Sequence, residues 1–273
     1  MRITTWNLRF DSMPDNITVQ QTLDSLQDPL LQPTFLTLTE EQPWSTRRIK
    51  VAEQLLSSGI SLASNTKVKL LSNDSFWLSN TPFEPSKFPG AGSVRICTAA
   101  HFSTLSSNGE EKNFTLLNTH LDDQSDAQRR LGASMLLTRA RFEAVNTNNP
   151  VFITGDFNRY GIRTEDPLHQ LIVNRSAAMG SDPRAYNIIT GVIPPVAINA
   201  TFAAKYHVDD DQLPSFTMLD LRGQAPRRSV STNFATFTGF TAPNDTTQWT
   251  RIDFIFGGSN GKWQVQSSLL GPC

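Results

Sequence analysis

At 273 residues the chain exceeds one average domain but fits a single β-rich or α/β domain. Hydrophobic residues make up 38% and charged residues 18%, which is within the globular range and allows a large core. A formal net charge of −1 argues against a histone-like or polybasic nucleic-acid binder.

The opening residues, MRITTWNLRF, lack the apolar stretch and small-residue cleavage site of a secretory signal. No apolar run approaches the roughly 20 residues needed to span a bilayer. A soluble cytoplasmic or intracellular protein is therefore expected. The two cysteines, Cys97 and Cys273, give no disulfide framework. The Asn-x-Ser/Thr sequons at Asn16, Asn73, Asn113, Asn174, Asn199 and Asn244 matter only in a secreted protein.

Arg2 to Leu8 alternates as a strand does, with Ile3 and Trp6 among polar residues. Residues 11–45, punctuated by Pro14, Pro29, Pro33 and Pro43, read as a long surface excursion. A helix follows, with Ser45 or Thr46 as N-cap and Gly59 as its stop. Its apolar positions Ile49, Ala52, Leu55 and Leu56 share a face, leaving Arg47, Arg48, Lys50 and Glu53 to solvent. Short strand-like pieces follow at Ile60 to Ala63 and Val68 to Leu71, then FWLS at 76–79 and a Pro-rich loop to Gly92.

The next strand runs from Val94 to Phe102, and FTLLNTHL at 114–121 forms another that ends in histidine. A long helix from about Asp126 to Val145 carries Leu131, Met135, Leu136 and Phe142 at helical spacing. Its arginines 129, 130, 139 and 141 read as a solvated outer face. VFITGDFN at 151–158 is the following strand, and residues 161–215 are loop-rich, with His207 on a surface loop. Phe216 to Leu221 reads as a short element. The last strands are Arg251 to Phe256 and Trp263 to Gln266, joined by the turn sequence GGSNG. Hairpin-like strands interleaved with separate helices predict a sheet-rich α/β layered domain.

Several strands finish in polar groups suited to phosphate chemistry: Asn7 in TWNLR, His120 in NTHL, Asp156 and Asn158 in GDFN, and Asp253 in RIDFIF. Taken singly, a strand-end Asn or Asp is ordinarily a turn or cap residue. Together they match a chemical requirement. Phosphate-ester hydrolysis uses a hard cation held by oxygen, neutral donors for the phosphoryl oxygens, and an acid or base to move protons. Arg95, after the Gly-rich PGAGS, is a further candidate for meeting an anionic substrate. The bland reading is that it pairs with a carboxylate.

The ordered set TWNLRFDS, PWSTRRIKVAEQL, FWLSNTP, NTHLDDQSDAQRRLGASML, VFITGDFN, FTGF and RIDFIF resembles the endonuclease/exonuclease/phosphatase superfamily, the DNase I-like fold. The resemblance implies one domain over residues 1–273, a four-layer αββα sandwich of two mixed sheets with outer helices. It also implies hydrolysis of phosphodiesters or phosphomonoesters with Mg2+, for which Mn2+ can substitute. By position, Asn7 would help bind the metal, and His120 would stand beside the scissile phosphate as proton or hydrogen-bond donor. Asp156 would orient or activate the attacking water, Asn158 would donate to a phosphoryl oxygen, and Asp253 would orient a second histidine.

The chain departs from the family pattern in two places. Where the family carries a strand ending in a metal-binding Gln-Glu, this chain passes from Ala63 into SNTKVKLL, which implies an internal deletion near 63–66. After RIDFIF the Ser-Asp-His segment is missing, as in a truncated C-terminus. The nearest acidic residues, Glu40, Glu41 and Glu53, read as solvated. An impaired phosphoesterase is therefore expected, with a non-catalytic phosphate-binding module as the alternative. Near-neutral charge favours a phosphorylated small molecule or nucleotide over duplex DNA, with no membrane partner and a monomeric chain.

Overall fold

The computed structural model describes residue 3 and residues 15–25, 43–57, 68–105, 108–158, 184–230, 235–237 and 249–268. The chain divides into two compact units. One holds residues 8–66 with Arg2, and the other holds residues 67–273 with Met1 and residues 3–7. The strand expected through Asn7, the strand-like piece at Ile60 to Ala63, the stop at Gly59, the deletion near 63–66 and the last residues of the chain lie outside the described residues. So do Glu40, Glu41, the side chain of Glu53 and most of FTGF.

The smaller unit contains helices α1 (Val19–Ser25) and α2 (Trp44–Ser57). Helix α1 was not expected within the proline-punctuated stretch. Its start is a reciprocal capping box: Gln21 N–H donates to Thr18 Oγ1 (3.1 Å) and Thr18 N–H donates to Gln21 Oε1 (2.8 Å). Helix α2 begins one residue before the expected Ser45 cap. The Pro43 carbonyl accepts from Thr46 and Arg47, and the Ser45 hydroxyl donates to Asp15 instead. Arg48, expected to face solvent, donates to the carbonyls of Ile17 (3.0 Å) and Thr18 (2.6 Å) and to Thr22 Oγ1. The reason is that the residues entering α1 present carbonyl acceptors, and its first turn a hydroxyl, that a guanidinium can serve. Ile49 is buried, as expected.

The larger unit is built on a mixed six-stranded sheet in the order β1-β2-β3-β4-β6-β5. Its strands are β1 (Val68–Trp77), β2 (Ile96–Leu105), β3 (Glu111–His120), β4 (Val151–Asp156), β5 (Met218–Asp220) and β6 (Asp253–Gly258). The two pieces expected at Val68 to Leu71 and 76–79 are a single strand, β1. Its polar middle, SND, lies exposed, and a register shift between Leu70 and Ser72 interrupts the pairing with β2. β3 and β4 pair in parallel, joined by the crossover helix α3 (Asp126–Thr147). Ser125 caps α3 by accepting from Gln128 N–H, and Asn148 closes it in the left-handed region at φ 54°. Three short helices, α4 (Arg184–Ile189), α5 (Ala200–Lys205) and α6 (Leu221–Gln224), punctuate the region expected to be irregular and the residues after β5.

Helix α3 sets Leu131, Met135, Leu136 and Ala140 into a core that includes Phe76, Leu117, Ile153, Phe254 and Phe256. Each large apolar side chain buried there contributes about 1.5–3 kcal/mol. The arginines of α3 do not form a solvated face. Arg139 is only 4% exposed. It grips both oxygens of Asp74 at 3.0 Å, and it donates to Glu143 at 2.7 Å and to the Tyr206 hydroxyl at 2.8 Å. Acidic partners supplied by β1 and by α3 itself make this burial tolerable. The expected strand at Trp263 to Gln266 is absent. Gly257 and Gly258 belong to β6, and the Trp263 ring lies over Gly257 with its indole N–H bonded to the Gly258 carbonyl at 2.6 Å.

Gly155 occupies the tightest point of the sheet. Its φ is +147°, and a Cβ there would lie 1.8 Å from the Thr119 carbonyl oxygen of β3. The Gly in VFITGDFN is thus demanded by strand contact. Gly155→Ala should lower stability by on the order of 3 kcal/mol or more. Gly109→Ala, at φ +83° with open space around it, bears backbone strain alone and should lose about 1 kcal/mol. Urea unfolding of both variants checks the ranking, and equal losses would contradict it.

Candidate active site at one edge of the sheet

β3 and β4 run parallel and end level, so His120 pairs with Asp156. β6 runs antiparallel to β4 and begins at the same edge, so Asp156 pairs with Asp253. The three residues therefore form a row across neighbouring strands. Pairing continues just beyond them: Leu121 N–H donates to the Asp156 carbonyl and Phe157 N–H to that of Ile252, both at 2.8 Å. Phe157, fully buried between Phe254 and Phe256, anchors the turn that follows.

That turn places Asn158 at φ 45°, a conformation Asn accepts more readily than most residues. Its backbone N–H donates to Asp156 Oδ1 at 2.8 Å. Its Nδ2 lies 2.8 Å from the Leu121 carbonyl oxygen and 2.9 Å from His120 Nε2. A carbonyl can only accept, so the Leu121 bond fixes the amide orientation and the second amide hydrogen points at Nε2. Nε2 is then the acceptor nitrogen and Nδ1 carries the proton. Burial pushes the His120 pKa below the ordinary histidine value, with the Arg95 charge adding and Asp156, Asp123 and Asp122 opposing. Both arguments give a neutral imidazole. Its side chain remains 43% exposed, with Nε2 3.4 Å from Asp156 Oδ2.

Asp156 and Asp253 are nearly closed off, at 4% and 6% exposed. Burial, followed by the negative charge of Asp156, pushes the Asp253 carboxyl up to about 7, against the opposing effects of Thr236 and Arg251. Its Oδ1 has no hydrogen-bond partner among the described residues. Adjacent Arg251 is engaged elsewhere, gripping Asp220 at 2.6 and 2.8 Å while lying over the Phe254 ring.

Arg95 takes the bland reading. Its Nε meets Asp122 at 3.2 Å and its Nη2 meets Asp123 at 2.9 Å, so its charge is committed beside the row. Asp122, unremarked in the sequence, joins three segments. Its fully buried carboxylate accepts from the backbone N–H groups of Gly92, Ser93, Gln124 and Ser125 at 2.8–3.1 Å. Burial opposes ionisation, yet those backbone donors hold its carboxyl down to about 2. Gln128 completes the joint, accepting from Asp122 N–H at 3.0 Å and donating to the Leu78 carbonyl at 3.1 Å. The one sequence signal for it was the S-D-A-Q capping pattern at 125–128. His207 is exposed and pairs with Asp209 at 3.4 Å.

Asn7, the expected metal ligand, lies outside the described residues. Among the described residues no three His, Cys, Asp or Glu side chains group so as to hold a metal ion. Among those same residues no helix is long and apolar enough to cross a membrane.

No family model and no curated protein matches the chain. The solved structures it resembles include endonuclease/exonuclease/phosphatase proteins. A mannosyl-6-phosphatase of Bacteroides thetaiotaomicron is 23% identical with a TM-score of 0.45, over 71% of this chain and 54% of that one. An endonuclease/exonuclease/phosphatase protein of Bacteroides vulgatus is 25% identical with a TM-score of 0.46, over 71% and 56%. The human Nocturnin catalytic domain with bound sulfate is 14% identical with a TM-score of 0.35, over 71% and 50%. The chain thus spans about half the length of these structures.

Two stability predictions follow from the carboxylates. The raised Asp253 carboxyl stabilises the fold at low pH, and that contribution is lost as pH rises from about 4 through 7. Asp253→Asn should remove this decline and be the more stable protein at pH 8, by up to roughly 4 kcal/mol. Parallel melting-temperature profiles for the two proteins would refute this. Asp122 has the opposite sign: its contribution is complete above about pH 4 and disappears as pH falls through 2. Asp122→Asn should cost about 3 kcal/mol at pH 7, measured by chemical denaturation, and the deficit should shrink in acid.

Proposed function

We propose that the chain is a phosphoester hydrolase of the endonuclease/exonuclease/phosphatase superfamily, acting on a phosphorylated small molecule or nucleotide as a cytoplasmic monomer. The observation that carries this reading is the in-register row His120, Asp156 and Asp253, bridged by Asn158 at one sheet edge. The ordered motifs from NTHL to GDFN to RIDFIF support it at the level of reaction class.

The described residues divide the work as follows. Neutral His120, with its proton on Nδ1, can donate a hydrogen bond to a phosphoryl or leaving-group oxygen without carrying a full charge. Asn158 holds that tautomer. Asp156, ordered by the Asn158 backbone N–H, orients water next to it. Asp253 retains a proton into the neutral range, and in that form it repels an incoming phosphate less than a carboxylate would.

Magnesium, with manganese as a substitute, belongs to the same proposal. The described residues alone do not fit it, because they offer no three-ligand group. The metal would depend on Asn7, outside those residues, and no step above is routed through it. The lack of the family's Gln-Glu motif between Ala63 and Thr66 supports slow turnover, and it is the reason for a second reading in which the edge binds phosphate without hydrolysing it.

Assays on phosphomonoester and phosphodiester panels with magnesium, manganese or chelator distinguish these readings. The expected result is slow, chelator-sensitive turnover that falls about 10²- to 10⁴-fold in kcat/KM in His120→Ala. Phosphate binding with no metal-dependent turnover would overturn the enzyme reading and leave the binding one.

A further inference from the structure

A second chemically equipped cluster lies on β1, β2 and α3, among side chains that the phosphate chemistry does not use. Ser72 and His101 are cross-strand partners, with Ser72 Oγ 2.9 Å from His101 Nδ1. The opposite ring nitrogen, Nε2, lies 2.7 Å from Glu143 Oε2. Glu143 is buried, and its other oxygen accepts from Arg139 Nε at 2.7 Å. Arg139 is itself held by both oxygens of Asp74 and by the Tyr206 hydroxyl. Ser72 is exposed, and it stands where the β1–β2 register shifts, a feature that re-aims a side chain.

We propose that Ser72, His101 and Glu143 form a nucleophilic triad that accepts an acyl group from small activated carboxylic esters. The hydrogen-bond chemistry supplies the direction of proton flow. A carboxylate accepts only, so Nε2 of the neutral imidazole must carry the proton that Glu143 receives as a hydrogen bond. Nδ1 is then a lone pair facing the serine hydroxyl, which is the arrangement of nucleophile, base and base-orienting group that nucleophilic catalysis needs. Glu143 is the positioning residue, and Arg139 with Asp74 holds Glu143 still.

The step balances within the triad and the ester. Ser72 Oγ forms a bond to the acyl carbon as its proton passes to Nδ1, and the bond from acyl carbon to the ester oxygen breaks. Nδ1 then returns the proton to the departing oxygen. Water later attacks the acyl-serine by the same route and regenerates the hydroxyl. The charged and titratable groups facing His101 are Glu143 from α3 and, behind it, Arg139 and Asp74 of β1. The ring is therefore held by one buried carboxylate that is already shared with a guanidinium.

The test uses the full chain with p-nitrophenyl acetate and with a fluorophosphonate probe, followed by peptide mass mapping. The expected result is a burst stoichiometric with protein and a single label on the Ser72 peptide. Ser72→Ala should abolish both, and His101→Asn should slow acylation by about 10²-fold or more. Glu143→Gln keeps one oxygen but cannot serve Arg139 Nε and Nε2–H together as a carboxylate does, so it should lower the acylation rate and shift its pH profile in protein that near-UV circular dichroism shows to be folded. A burst that survives Ser72→Ala, label spread over lysines, or no label at all would overturn the proposal. Ser72 is exposed, so its alanine variant is free of core effects and remains informative even if His101→Asn folds poorly.

Discussion

The close approach of β4 to β3 at Gly155 is the constraint on which the rest of the larger unit depends. No side chain fits between Gly155 and the Thr119 carbonyl, so the two strands seat against each other without a spacer. This seating brings His120 level with Asp156 in a parallel pair, and antiparallel β6 then adds Asp253 to the same row. A one-residue slip would turn each of these side chains to the opposite face of the sheet. The glycine thus sets the register of this row, although it has no reactive group of its own.

Buried charge is treated differently in the interior and at this edge. Arg139 is surrounded by Asp74, Glu143 and Tyr206, and Asp122 by backbone N–H groups and Arg95, so each leaves little of its charge unanswered. Such pairs add little net stability over an apolar replacement, but breaking one is costly. At the strand ends the rule is relaxed. Asp156 and Asp253 are neighbours with nearly closed side chains, and Asp253 responds by holding its proton. Two neighbouring buried carboxyl groups, one of them holding its proton, are the kind of local inconsistency that functional sites carry.

The sequence made the central βαβ unit legible because its periodicities are unambiguous. VFITGD is a continuously buried strand, and Leu131, Met135 and Leu136 recur at helical spacing. It was less legible where tertiary partners decide the outcome. Helix α1 was hidden by the prolines around it, although Thr18 and Gln21 carried its capping pattern. β1 read as two pieces because SND is polar, yet an exposed strand tolerates polar residues on both faces. Arg139 looked solvent-bound because the acidic residue that draws it inward, Asp74, lies far away in sequence. Of the site, the strand-end residues were readable as chemical types. Arg95's commitment to Asp122 and the tautomer of His120 depend on contacts between separate segments, which no local pattern encodes.

The two histidines of β2 and β3 show how such contacts assign chemistry to identical side chains. His120 Nε2 faces an amide N–H of Asn158, a pure donor, and must therefore accept. His101 Nε2 faces a carboxylate oxygen of Glu143, a pure acceptor, and must donate. The protonated nitrogen is thus Nδ1 in one ring and Nε2 in the other. One imidazole presents a hydrogen-bond donor to what approaches it, and the other presents a lone pair to a hydroxyl. The pleat turns the two rings to opposite faces of the sheet, since His101 pairs with Thr115, five residues before His120, but the difference in protonated nitrogen does not come from the strand. It comes from one partner atom supplied by the turn after β4 in the first case and by α3 in the second, so the connections around the sheet determine what its histidines can do.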